Sequence, residues 1–251
     1  MVKIKQSAAR QRWRMAALLI SLLLFPITLF YLSPYLPVAG AAEGVVNGSL
    51  VVFGLMFVAA LFVGRLWCGW VCPGAALGEL AIPIRNRLFG PKWLGWIKWA
   101  IWIPWISLIA WLAIRAGGYR QVNLFFHLDG GLTVEQSYWY LVYYLVIAAF
   151  LGLALLFGRR AGCHTICWMA PFMILGRKLR NLGNWPALRL KAEADKCIDC
   201  QRCTIACPMS LDVNSMARAG AMEHSECVLC GSCVDVCPND VIHYSFSRGN
   251  K

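Results

Sequence analysis

Four stretches of the chain run almost without charge: roughly Met15 to Leu36, Val45 to Leu66, Trp96 to Ile114 and Tyr138 to Phe157. Each is long enough to cross about 30 Å of hydrocarbon as a helix. Pro26 and Pro104 lie inside two of them, which predicts kinks rather than breaks, because neighbouring helices can satisfy freed carbonyls. Polar residues gather between the stretches in short basic clusters. After about residue 181 the long apolar runs stop, and cysteines begin to recur at intervals of three.

The first part of the chain repeats itself. Two apolar segments, a Gly-Arg, a Cys-x3-Cys, an apolar segment and a basic cluster occur in that order at 15–92 and again at 96–180. "GRLWCGWVCPG" carries Cys68 and Cys72, and "GRRAGCHTIC" carries Cys163 and Cys167. Two tandem helical hairpins related by a pseudo-twofold would bring both pairs to one surface. On a helix, residues four apart share a face, so each pair is expected to present two thiols in one direction.

Charge sets the orientation. Lys3, Lys5, Arg10, Arg12 and Arg14 precede the first stretch; Arg65, Arg85, Arg87 and Lys92 follow the second; Arg159, Arg160, Arg177, Lys178 and Arg180 follow the fourth. The loop after the first stretch has no basic residue, and the loop after the third has only Arg115 and Arg120. The excess of Lys and Arg on one side puts both termini in the cytoplasm of an inner (cytoplasmic) membrane protein. Arg65, Arg159 and Arg160 read first as anchors of this kind. Lys98 can snorkel to the interface, and Trp67 and Trp70 read as belt aromatics.

Composition agrees. Hydrophobic residues make up 59% of the 251, above a soluble domain's usual share. Residues 1–192 hold 19 Lys/Arg and 4 Asp/Glu, net +15, and residues 193–251 hold 5 and 8, net −3. The basic residues flank apolar segments instead of forming a stripe, so nucleic acid is not an expected partner. With all twelve cysteines on the reducing side, structural disulfides are not expected either.

The acidic appendage carries the clearest chemistry. "CIDCQRCTIACP" and "CVLCGSCVDVCP" are both C-x2-C-x2-C-x3-C-P, the bacterial ferredoxin run. In two-cluster ferredoxins the fourth cysteine of each run ligates the other cluster. Cys197, Cys200, Cys203 and Cys237 are therefore expected to hold one [4Fe–4S] centre, and Cys227, Cys230, Cys233 and Cys207 the other. The stretch between the runs reads as a helix, and "VIHYSFS" as a closing strand. His224 and His243 read as structural, and no membrane stretch carries a histidine for an axial haem ligand. His127 and Asp129 lie in the loop after the third stretch.

Three readings stay open for Cys68, Cys72, Cys163 and Cys167: a third [4Fe–4S] cluster, a copper or redox-active thiol site, since soft thiolates suit Cu(I), or cysteines packed as small hydrophobes. Taken together, "CGWVCPG" and the two ferredoxin runs resemble the NapH/NosR-type membrane polyferredoxins over residues 15–245. The second element departs from that family's Cys-x3-Cys-Pro pattern, with Trp168 after Cys167 and its proline at Pro171. The resemblance implies a quinone-linked electron conduit, or a regulator or assembly factor for another metalloenzyme.

The expected architecture is a basic tail at 1–14, an all-α four-transmembrane-helix bundle of two tandem hairpins at 15–180, a linker at 181–196, and a cytoplasmic α+β 2[4Fe–4S] ferredoxin-like domain at 197–251. The expected function is electron transfer between a cytoplasmic carrier or enzyme and a membrane quinone or partner subunit. A maturation factor that reduces copper or a thiol, and a membrane anchor for a soluble oxidoreductase, are the alternatives.

Overall fold

The computed structural model describes residues 2–128 and 137–249, so Asp129 lies outside the described residues. The tail and the first apolar stretch form one helix, α1 (Val2–Leu23), interrupted for a single residue at Leu24 before α2 (Phe25–Thr28). Pro26 explains the kink, having no N–H to donate and a ring that crowds the preceding turn. Turns around Leu29–Ser33 lead into α3 (Tyr35–Glu43), which ends at Gly44 with φ +69°. β1 (Val45–Asn47) follows, and then α4 (Gly48–Val63), whose first turn is capped where the Asn47 side chain accepts from the Leu50 N–H at 2.9 Å.

Two short helices come next, α5 (Leu66–Trp70) and α6 (Pro73–Leu80). The second repeat has the same parts. It consists of α7 (Ile97–Arg115), continuous through Pro104, then β2 (Gln121–Asn123), α8 (Ser137–Phe157), α9 (Ala161–Thr165) and α10 (Ala170–Gly183). β1 and β2 pair in parallel, Val45 opposite Gln121. The repeats interlock, with α10 packed on α4 and α6 packed on α8. Gly176 allows the first contact, since a Cβ there would lie 2.7 Å from the Phe57 carbonyl oxygen.

Among the described residues, two helices are long and apolar enough to cross a membrane, Trp93–Arg115 and Tyr140–Phe157. Only 17% and 11% of their apolar windows is buried in the protein, so their side chains face outward instead of into a core. α4 is apolar but shorter; its 16 residues reach roughly 24 Å at about 1.5 Å per residue. Four full-length spans are therefore not what the described helices provide.

The expected linker at 181–196 is a correction. Its residues Ala187–Ala192 form β3, which pairs antiparallel with β4 (Ile242–Ser247), Ala192 opposite Ile242. The alternation of Leu188 and Leu190 with Arg189 and Lys191 is a strand pattern that the neighbouring basic residues obscure. Between the strands lie α11 (Arg202–Ile205), α12 (Val213–Arg218) and α13 (Ser232–Asp235). One apolar core runs from Leu18 and Phe53 through the four membrane-side cysteines to Val228 and Ile242, so the appendage is seated on the helical body.

Candidate functional site

The two ferredoxin runs fold alike. Asp199 and Leu229, Gln201 and Gly231, and Ser210 and Asp240 all have positive φ, each pair at the same place in its run. These turns curl the backbone around a hollow, the shape that exposes successive N–H groups to an anionic guest. Cys197, Cys200, Cys203 and Cys237 line one hollow, and Cys207, Cys227, Cys230 and Cys233 line the other. The fourth cysteine of each run crosses to its neighbour's hollow, and the Val241 N–H donates to the Cys237 Sγ at 3.4 Å. Burial pushes the Cys207 thiol up to about 12, so a metal must displace a proton to bind there. All eight side chains fit the chemistry of two [4Fe–4S] groups.

Cys68, Cys72, Cys163 and Cys167 come together as one buried group from both repeats. They do not sit on continuous helices, which corrects the expectation of a shared helical face. Cys68 lies in α5, whereas Cys72 is extended (φ −69°, ψ 123°) and caps α6. A residue preceding proline avoids the helical region, and Pro73 imposes this on Cys72. In the second copy Cys163 lies in α9, and Cys167 follows its last turn, outside the helix. The inserted Trp168 and Met169 do not change the outcome: the N–H groups of Ala75 and Ala170, three residues on in each case, both serve the sulfur of the second cysteine. Burial, more than the neighbouring thiols, raises Cys167 to about 12.

Among the described residues no three His, Cys, Asp or Glu side chains come close enough to hold a single metal ion. That holds for the ferredoxin hollows as well, because ligands around a cubane stand farther apart than those around one ion. Among the described residues, the Nε atoms of Arg65 and Arg160, whose guanidinium groups both reach Cys68, are buried donors with no partner. Buried donors rarely go unpaired, and cluster sulfurs are acceptors. The residues present therefore fit a sulfur-rich group.

The basic residues beside these cysteines are buried, not exposed as anchors. Arg65 is completely buried; it donates to the Glu226 carboxylate at 2.8 Å and to the Ser225 carbonyl at 3.1 Å, and its Nη2 lies 4.0 Å from the Cys68 Sγ. Lys98 does not snorkel; it too is buried against Glu226. Arg160 donates to the Cys68 carbonyl at 3.0 Å and to Glu79. Glu79 also receives Arg14 through two bonds of 2.7 Å. Arg159 reaches the carbonyls of Ile205 and Cys207, and Arg177 and Arg180 hold Glu223. Burial alone would raise the Glu226 carboxyl, but Arg65 and Lys98 hold it well below the usual carboxylate range. Charge patterning alone could not find Glu79, Glu226 and Glu223; Glu79, the one acid between Glu43 and Asp129 in a basic body, leaves the clearest signal.

The contact between body and appendage is close. A Cβ on Gly69 would lie 2.3 Å from the Val228 carbonyl oxygen. Trp70 is no belt residue, because its indole N–H donates to the Leu229 carbonyl at 3.2 Å. A cavity of about 550 Å³ opens beside this contact, walled by Phe89, Trp96, Trp99, His164, Met209 and Glu226. His164 stacks on Phe89 with ring centroids 4.5 Å apart, and burial pushes its imidazole down to about 4. His127 is half-exposed, 3.8 Å from Glu43. The His224 Nδ1 accepts from the Glu226 N–H at 3.1 Å.

Residues 189–238 match the 4Fe-4S dicluster domain, and residues 48–92 match a 4Fe-4S binding domain, which takes in Cys68 and Cys72. This defines an iron–sulfur protein with two [4Fe–4S] clusters. An uncharacterized protein of Methanocaldococcus jannaschii is 24% identical over 86% of this chain and 81% of its own length. The putative electron transport protein YccM of Escherichia coli is 24% identical over 81% of this chain and 57% of its own. Protein RdxA of Cereibacter sphaeroides is 26% identical over 81% of this chain and 47% of its own. The chain thus spans about half the length of the latter two. No solved structure matches. In its two matched 4Fe-4S segments and in these relatives the chain is similar to the NapH/FixG-type polyferredoxins.

Proposed function

We propose that the protein is a membrane-bound electron-transfer protein whose ferredoxin domain stands on a third redox site at the membrane surface. The observation that carries this reading is the seating of the loop at Val228–Cys230 on the loop at Cys68–Cys72, closed by Gly69 and Trp70. Cys197, Cys200, Cys203 and Cys237 hold one [4Fe–4S] cluster, Cys207, Cys227, Cys230 and Cys233 the second, and Cys68, Cys72, Cys163 and Cys167 a third. Such clusters supply one-electron storage at potentials set by their surroundings. The chain's own side chains exclude water from the thiols, present backbone N–H groups to them and clamp the two domains together by Arg–carboxylate pairs.

The reading includes a multi-pass protein of the inner membrane with its cysteines on the cytoplasmic side. Exposed Arg85, Arg87 and Lys178 on that face support it. A cytoplasmic carrier or enzyme meets the exposed first hollow at Cys200, and a quinone headgroup or a membrane subunit meets the aromatic cavity beside Cys163. Copper handling is the second reading, favoured by the Met173 thioether 3.9 Å from the Cys68 Sγ, since soft sulfur ligands suit Cu(I). Metal analysis after anaerobic purification separates them: iron at the membrane cysteines supports the conduit, and stoichiometric copper there supports the maturation factor.

A further inference from the structure

The charges buried around the membrane-side thiols do not cancel. Arg14, Arg65, Lys98 and Arg160 are all within 5% of complete burial, and among the described residues they share two carboxylates, Glu79 and Glu226. Four cations less two carboxylates leave a net charge of +2. Arg159 turns to the carbonyls of Ile205 and Cys207 and so belongs to the second ferredoxin hollow. Burying uncompensated charge is costly, and neutral thiols compensate none of it.

We propose that these six residues form an electrostatic socket built for a guest of about two negative charges, and that a cubane on four thiolates is that guest. The inference rests on the third-cluster reading and adds the role of the arginines. A two-coordinate Cu(I) dithiolate carries only about one negative charge and leaves the socket unbalanced. The socket has a second consequence. Adding an electron takes the guest from about two negative charges to about three, and fixed cations favour that change. The membrane-side centre therefore has a higher potential than it would have without the two uncompensated cations.

The test is an EPR-monitored redox titration of the purified full chain, with iron counted in every sample. Wild type is expected to hold about twelve irons in three centres. Arg65→Gln and Arg160→Gln should each lower the potential of one centre by about 59 mV or more, a tenfold shift in its reduced-to-oxidised ratio, and leave the other two in place. Arg65→Lys keeps the charge and should keep the potential, whereas Glu226→Gln removes a negative charge and should raise it. Equal shifts in all three centres, or a shift in Arg65→Lys as large as in Arg65→Gln, overturn the socket while leaving the cluster. About eight irons in wild type overturn the third cluster itself.

Discussion

The two halves of the helical body are copies in outline and opposites in what they hold. Both end their second apolar helix at a glycine of positive φ, Gly64 at +59° and Gly158 at +108°, and both then turn an arginine up toward the ferredoxin domain. Six residues after the proline that opens the next helix, the first copy has Glu79 and the second has Arg177. Glu79 holds Arg14 and Arg160 within the body, whereas Arg177 grips Glu223 of the appendage. After the first cysteine of each pair the copies have Gly69 and His164. The glycine lets the second cluster loop approach, and the imidazole walls a cavity. A shared scaffold delivers two thiols from each side, and divergence at two positions, Glu79/Arg177 and Gly69/His164, gives the copies different contacts.

The largest effect is expected where one carboxylate serves two buried cations. Glu79→Ala should cost about 3–5 kcal/mol, as removing one partner of a buried ion pair does. Thermal denaturation in detergent should show it as a larger fall in Tm than for Glu226→Ala, whose carboxylate is more exposed. The reverse order would mean that the first copy does not carry the body.

Next come the glycines. Gly69→Ala puts a methyl group into the Val228 carbonyl, and should release the ferredoxin domain to limited proteolysis while the helical body stays folded. His164→Ala, at the equivalent position, should leave the domain docked. Equal protease sensitivity of the two variants would erase the distinction between the copies.

Gly158→Ala should destabilise more than Gly64→Ala. At +59° an L-residue costs roughly 1–2 kcal/mol, and the nearest atom to a Gly64 Cβ is a flexible guanidinium at 3.2 Å. At Gly158 the φ of +108° is worse, and the Arg87 carbonyl oxygen would stand 2.4 Å from the Cβ. Tm measured side by side ranks them.

The smallest effect concerns pH. Burial would raise the Glu223 carboxyl, but Arg177, Asn181 and Arg180 lower it on balance. A carboxyl depressed in the folded state contributes stability above its unfolded pKa, about 4.3, and loses that contribution as pH falls through the folded value. Glu223→Gln should therefore lower stability slightly at pH 7 and flatten its fall below about pH 4.3. An unchanged acid limb would show that Glu223 does not couple the domains.

Much of this was legible in the chain. The ferredoxin runs carry their chemistry in local spacing, so their cysteines could be grouped before any coordinates. The internal repeat and the convergence of Cys68, Cys72, Cys163 and Cys167 were readable from order alone. The polar interior was not. Arg65, Arg160 and Lys98 look like anchors because basic residues beside an apolar stretch usually are, and only a partner more than 60 residues away, Glu79 or Glu226, turns them inward. The strand at 187–192 escaped notice because its partner at 242–247 follows two cysteine runs. Cys72 left the helix for a local reason, Pro73, that the four-residue spacing concealed.

The central claim is that both copies contribute to one metal site. Iron should be counted in anaerobically purified protein for wild type, for Cys68→Ser/Cys72→Ser, for Cys163→Ser/Cys167→Ser, and for all four changes together. Wild type is expected to hold about twelve irons and each of the three variants about eight, because either pair alone cannot hold the cluster. About eight irons in all four proteins would contradict it.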